Sequence, residues 1–204
     1  PDSKLTPEIM WWLGQYYYQH DYLNLARRYF SSLTKDFPDS NLRGNAFYAL
    51  GLTFSDEGKL EQATDNFRMA IKLGPVELRA QATAALAESY YKIQDYEQAK
   101  LFYQKSLELA DVNEVANLQF SLAEVLEAKG ELDAAIGLYL KVSDLYTDVP
   151  QLFVRALLRA AKIYEDTEGF NEALKLYKRI VEKGTEEAKF VKERIDWIRA
   201  NVKK

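Results

Sequence analysis

His20 is the only histidine in the chain, and so the only imidazole available for acid–base work near neutral pH. A general base needs a nucleophile or an orienting partner within hydrogen-bond reach. His20 precedes Asp21-Tyr22 in a turn-like stretch, and its surroundings in sequence suggest neither. Cysteine is absent, which removes thiolate catalysis, disulfides and Cys-held metals together. Other metal sites need ligands clustered at set spacing, whereas the carboxylates here are spread along polar helix faces. No Gly-rich phosphate loop and no Gly-x-Ser-x-Gly elbow occurs. The expectation is a chain that makes and breaks no bond and carries no cofactor. The residues left to do chemistry are aromatic and charged side chains suited to recognition.

The elements that carry those side chains repeat. Leu13-Gly14, Tyr17, Ala26, Phe30, Leu33 and Pro38 recur in register as Leu50-Gly51, Phe54, Ala63, Phe67, Ala70 and Pro75. Further copies are Leu86-Ala87…Tyr90…Ala99…Tyr103, Leu122-Ala123…Leu126…Ala135…Tyr139 and Ala160-Ala161…Tyr164…Ala173…Tyr177, at intervals of 36 to 38 residues. Such a period signals stacked supersecondary units, each burying its apolar face against its neighbours.

Each unit reads as two antiparallel helices. In the second, the spacing predicts a first helix over 42–57 and a second over 60–73, with Gly58 in the turn and Gly74-Pro75 ending the pair. Gly130 and Gly169 fall in the equivalent turns of the fourth and fifth units. The five prolines, at 1, 7, 38, 75 and 150, lie between units or at helix starts. Gly14 and Gly51 on first helices, and Ala26, Ala63, Ala99, Ala135 and Ala173 on second helices, let the paired axes approach to roughly 8–10 Å. The last helix, over 186–204, carries Ala188, Val191, Ile195 and Ile198 on one side and Lys189, Lys192, Glu193, Asp196 and Arg199 on the other, as a solubilising cap would. Pro1-Asp2-Ser3 repeats Pro38-Asp39-Ser40 at the same distance from Leu-Gly. We expect it to be the tail of a preceding unit in a longer array. Trp11, Trp12, Tyr16, Tyr17 and Tyr18 crowd the first helix, as an uncovered end would.

Composition sets the outer limits. With 204 residues, 48% hydrophobic and 13% aromatic, the chain folds. A net charge of −4 argues against a polyanion such as nucleic acid, whose binding needs clustered Lys and Arg. No uncharged run approaches the roughly 18 residues of a membrane span.

These residues resemble the tetratricopeptide repeat family. Phe47, Leu50, Gly51, Phe54, Ala63, Phe67, Ala70 and Pro75 stand at the family's spacing, and units begin near 7, 44, 80, 116 and 154. The resemblance implies an all-α, right-handed superhelical solenoid of antiparallel helix pairs, closed by the C-terminal capping helix. Units 7–43, 44–79, 80–115, 116–153 and 154–187 would form a single array. A finer resemblance lies in Phe37-Pro38-Asp39-Ser40 followed by Ala46-Phe47-Tyr48-Ala49-Leu50-Gly51, with repeats longer than the usual 34. It looks like bacterial envelope proteins, the outer-membrane-assembly lipoproteins and the periplasmic partner of the Tol–Pal system. Cell envelope and cytoplasm both stay open as compartments.

In that family the first helices line a concave groove. Carried over by position, the groove takes Glu8, Trp11, Gln15 and Tyr18 from the first unit and Asn45, Tyr48, Leu52 and Ser55 from the second. Gln81, Ala84, Glu88 and Tyr91 follow, then Asn117, Phe120, Glu124 and Glu127, then Arg155, Leu158, Arg159 and Lys162. The run is aromatic, then acidic, then basic. Tyr48, Tyr91 and Phe120 either anchor a ligand or pack between helices, and both readings stay open here. Some members grip a peptide's terminal carboxylate with Lys and Asn. Arg155 and Arg159 hold two matching positions, but Ala84, Glu88 and Ser121 do not complete that clamp. Helical repeats that read RNA use polar pairs with basic backing, whereas this face is aromatic and acidic. The expected function is a protein-interaction scaffold holding a peptide segment, set against a regulatory segment of a larger protein, or self-assembly through the aromatic N-terminal end.

Overall fold

The computed structural model describes residues 5–202. Pro1-Asp2-Ser3 and Lys4, with Lys203 and Lys204, lie outside the described residues. Eleven α-helices and no strand occur among the described residues. The chain divides into two compact units, Pro1–Asp111 and Val112–Lys204.

The first unit holds three hairpins: α1 (Pro7–Gln19) with α2 (Leu23–Asp36), α3 (Arg43–Asp56) with α4 (Leu60–Leu73), and α5 (Val76–Lys92) with α6 (Tyr96–Leu109). Each helix packs on the next. α1 starts where Thr6 caps the Ile9 amide and Pro7 takes the first turn, which has no amide to satisfy there. The small residues set the packing distance. A Cβ on Gly14 would lie 2.4 Å from the Phe30 ring, and one on Gly51 would lie 2.4 Å from the Phe67 ring. Ala26, Ala63 and Ala99 are fully buried on the facing helices.

The second unit runs α7 (Val112–Lys129), α8 (Leu132–Leu145), α9 (Pro150–Asp166), α10 (Phe170–Lys183) and α11 (Ala188–Asn201), again with successive helices in contact. Val191, Ile195 and Ile198 bury one stripe of α11, while Lys189, Lys192, Glu193, Asp196 and Arg199 face solvent. Amphipathicity alone accounts for this placement.

Every hairpin turns through one left-handed residue five positions before the buried Ala: Asp21 (φ 61°), Gly58 (72°), Gln94 (64°), Gly130 (85°) and Glu168 (61°). The next residue's amide then reaches back across the turn, as Lys59 N does to Phe54 O at 2.8 Å and Asp95 N to Tyr90 O at 2.9 Å. In the fifth hairpin the left-handed position belongs to Glu168. Gly169 sits one place later at φ −78°, where it begins α10 and packs on Tyr164.

Candidate functional site

In the first unit, α1, α3 and α5 bring the sequence-selected side chains to one set of first-helix positions. Trp11 is half-buried and tilts onto the Phe30 ring at 5.4 Å. Tyr18 reaches from α1 to α3, its hydroxyl donating to Asp56 Oδ2 at 2.7 Å. Burial, and then the Asp56 carboxylate, push the Tyr18 phenol well above its ordinary pKa, so it stays a donor through the neutral range. Tyr48 packs on Phe67 at 5.8 Å, and Tyr91 lies 5.9 Å from Tyr96. Both keep part of their surface in solvent, as does Leu52 between them in sequence, and Gln15 is exposed. Glu88 accepts from the Tyr103 hydroxyl at 2.9 Å and pairs with Lys92 at 3.4 Å. The result is a surface of partly covered rings with fixed polar edges.

Phe120 departs from that pattern. It is only 4% exposed, edge-on to Tyr139 at 5.3 Å, with the Arg155 guanidinium 4.4 Å above its ring centre. A side chain that offers no surface to a ligand cannot anchor one, so Phe120 is core.

The second unit's first-helix positions carry charges, and those charges are largely engaged internally. The Tyr139 hydroxyl donates to Glu127 Oε2 at 2.8 Å. Arg159 on α9 lies 3.4 Å from Glu127 and 3.5 Å from Glu124 on α7. Burial opposes the Arg159 charge, but Tyr139 and the two carboxylates outweigh it and raise its pKa. The arrangement recurs one step on. Tyr177 donates to Glu165, and Arg194 on α11 grips both Glu165 oxygens, with its Nε at 3.0 and 3.1 Å. The Glu165 side chain is 5% exposed. Burial alone would raise its pKa, but the bonds from Arg194 and Tyr177 hold it below the ordinary carboxylate range. Arg155 and Lys162 stay exposed, Lys162 paired with Asp166 at 2.7 Å.

Sequence reasoning named Glu124, Glu127 and Arg159 but missed that they bind one another. A signal existed. Where the second helix carries Phe30 or Phe67, the residue twelve earlier is Tyr18 or Ser55; where it carries Tyr139 or Tyr177, that residue is Glu127 or Glu165, while Tyr103 has Tyr91 there and finds its carboxylate fifteen earlier, at Glu88. The hydroxyl and the carboxylate appear together because a buried hydroxyl needs an acceptor.

His20 is exposed, and its Nδ1 donates to the Tyr16 carbonyl at 2.8 Å while its ring lies 4.3 Å from the Tyr16 ring. Among the described residues no group of three or more His, Cys, Asp or Glu could hold a metal, and no helix is long and apolar enough to cross a membrane.

The family profile described as "Tetratricopeptide repeat" matches residues 48–114 and again 84–150, together half of the chain. The chain belongs to the tetratricopeptide repeat family. As such a repeat protein it shares its fold with solved structures of low identity. One MamA crystal structure superposes with a TM-score of 0.75 at 23% identity, over 90% of this chain and 94% of that one. MamA from Desulfovibrio magneticus RS-1 gives 0.73 at 15%, over 87% and 94%. YrrB, described as a TPR protein with an unusual peptide-binding site, gives 0.65 at 18%, over 83% and 82%. No curated protein sequence matches the chain. Tetratricopeptide repeat proteins act as protein-interaction scaffolds, and this chain has the architecture of one.

Proposed function

We propose that the chain is a scaffold whose first unit binds a peptide segment on the face shared by α1, α3 and α5. The observation that carries this reading is the set of half-buried rings, Trp11, Tyr18, Tyr48 and Tyr91, with Leu52 among them and Gln15 and Glu88 at the edge. Packing neighbours and hydrogen bonds already fix these rings, so little conformational entropy remains to be lost on binding. Covering one or two of them, at about 1.5–3 kcal/mol per side chain less the ordering cost, supports roughly micromolar affinity. YrrB's described peptide-binding site on the same fold is consistent with this use.

In the second unit we assign a separate charged patch to Arg155 and Lys162, with Glu124 and Arg159 beside them. Arg159 is held by Glu124 and Glu127 and Lys162 by Asp166, so Arg155 is the group a partner's acidic side chain would meet first. The phrase Phe37-Pro38-Asp39-Ser40 with Ala46-Phe47-Tyr48-Ala49-Leu50-Gly51 supports a place in bacterial envelope assembly; fractionation of cells expressing the native gene tests that reading.

Peptides selected from a random displayed library against the chain test the binding face. They should lose at least about tenfold in affinity for Tyr48→Ala, the worth of one partly covered ring. Selected peptides that bind Tyr48→Ala and Tyr91→Ala as tightly as the parent would remove the site from this face.

A further inference from the structure

Arg159 and Arg194 hold matching positions, each reaching back to a carboxylate on the preceding first helix, Glu127 and Glu165. That match sets Val191, Ile195 and Ile198 of α11 at the register of Ala156, Ala160 and Ile163 of α9, and all six are buried. The same register sets Phe190 at the position of Arg155 and Trp197 at that of Lys162. Phe190 is 72% exposed and Trp197 49%. Where α11 carries Phe190, the other first helices carry Glu8, Asn45, Gln81, Asn117 and Arg155, all polar. A helix that only solubilised the end of the array would keep that pattern, so two rings on one face ask for another reason.

A missing hairpin does not supply it. Gly14 and Gly51 mark the position that meets the hairpin's own second helix, at Phe30 and Phe67. Ala161 holds that position on α9 and Asp196 holds it on α11, with Lys192 and Arg199 one turn to either side, and these three charged residues are exposed. A helix packed beyond α11 would therefore meet charge and not the rings. Arg155 and Lys162 give the direct comparison, because they stay exposed although α11 follows α9.

We infer that α9 and α11 together bind an acidic peptide segment that also carries an aromatic or large aliphatic side chain, the apolar residue on α11 and the acidic one on α9. This rests on the charged patch assigned above and adds its apolar half and its order. Trp197 is ordered beforehand, since the Arg194 guanidinium lies 4.4 Å from its ring centre while gripping Glu165. On α9, Arg155 lies over the Phe120 ring and has no carboxylate partner among the described residues, so an incoming Asp or Glu becomes its counterion. Glu193 is exposed between Phe190 and Trp197, which turns a partner's carboxylate toward α9 and disfavours an anionic lipid surface. Neighbouring helix axes stand on the order of 10 Å apart and an extended chain rises about 3.3 Å per residue, so the acidic and apolar residues should fall about three positions apart.

Peptides selected from a random displayed library against the full chain carrying Tyr48→Ala and Tyr91→Ala, which removes two rings of the first unit's face, test this. The selected set should be enriched in Asp or Glu about three residues from Trp, Phe or Leu. Affinity by fluorescence polarisation should fall at least about tenfold in Phe190→Ser, in Trp197→Ala and in Arg155→Gln, each with unchanged helical circular dichroism. Phe190 lies mostly in solvent, so Phe190→Ser reads binding even where another variant loses stability. Loss in Arg155→Gln alone would leave the charged patch standing and overturn the part given to the rings. Loss in the ring variants alone would overturn the acidic partner. Peptides indifferent to all three, or no enrichment, would overturn both. Co-sedimentation with phosphatidylserine vesicles that Trp197→Ala abolishes, with no peptide selected, would put a lipid surface in the peptide's place.

Discussion

Arg194 on the last helix holds the Glu165 carboxylate of α9 through both oxygens, and the Tyr177 hydroxyl bonds the same group. Glu165 is charged inside the protein because these two donors are present. Removing one partner of a buried pair costs more than the pair contributes, since the remaining charge is left without a counterion.

Arg194→Ala should therefore destabilise the second unit by about 2–4 kcal/mol, less than a fully buried pair would lose because Arg194 is partly solvated. The pH dependence has a definite sign. The folded pKa of Glu165 is depressed, so its contribution is present above the unfolded value and is lost as pH falls through the folded one. In Arg194→Ala that pKa rises, and acid unfolding followed by circular dichroism should begin at a higher pH than in the parent. An unchanged acid transition would mean that the pair carries no linkage.

Gly51→Ala should lower stability although alanine is the better helix former. The new methyl would meet the Phe67 ring at 2.4 Å, and that ring is buried. Overpacking of about 1–3 kcal/mol against a propensity gain of about 1 leaves a net loss of up to about 2 kcal/mol by urea titration. A gain would show that the ring can move aside.

Gln94→Gly should do the reverse. Gln94 is held at φ 64°, where a Cβ is strained and glycine is not. We expect a gain of about 0.5–1 kcal/mol, a rise of roughly 1–4 °C in Tm for a chain of this size. Glu168→Gly tests the same relation in the fifth hairpin, and a loss at both positions would contradict it.

Phe120→Ala and Tyr91→Ala separate core from surface. Phe120 lies under Arg155 and against Tyr139, so its truncation should cost about 3–5 kcal/mol. Tyr91 is half-exposed, and its truncation should cost well under half of that in a thermal melt. Equal losses would place both rings in the core.

The hairpins were legible because their signal is local and repeated. Gly14 faces Phe30 and Gly51 faces Phe67 in two hairpins that share one spacing. The turns were legible only in part. Gly58 and Gly130 mark the left-handed position, and Asp21 enters it more readily than most side chains, but Gln94 and Glu168 hold it against their own preference. The bonds from Arg159 to Glu127 and from Arg194 to Glu165 join different hairpins, and which of several surface charges meet depends on how neighbours stack. Phe120 misled for a related reason. Its register matches the half-exposed Tyr48, and the guanidinium of the next hairpin lies over it in addition to the Tyr139 ring.

The grip of Arg194 on Glu165 also governs how the second unit comes apart. A terminal helix held by greasy contact alone would fray, its amides exchanging with solvent through small local excursions. For α11 to peel away in that manner, each excursion must also break the two-oxygen ion pair of Arg194 with Glu165. Hydrogen exchange along Val191–Ile198 should then follow cooperative opening of α9 and α10 with α11, which makes α11 behave as a locked link instead of a loose thread.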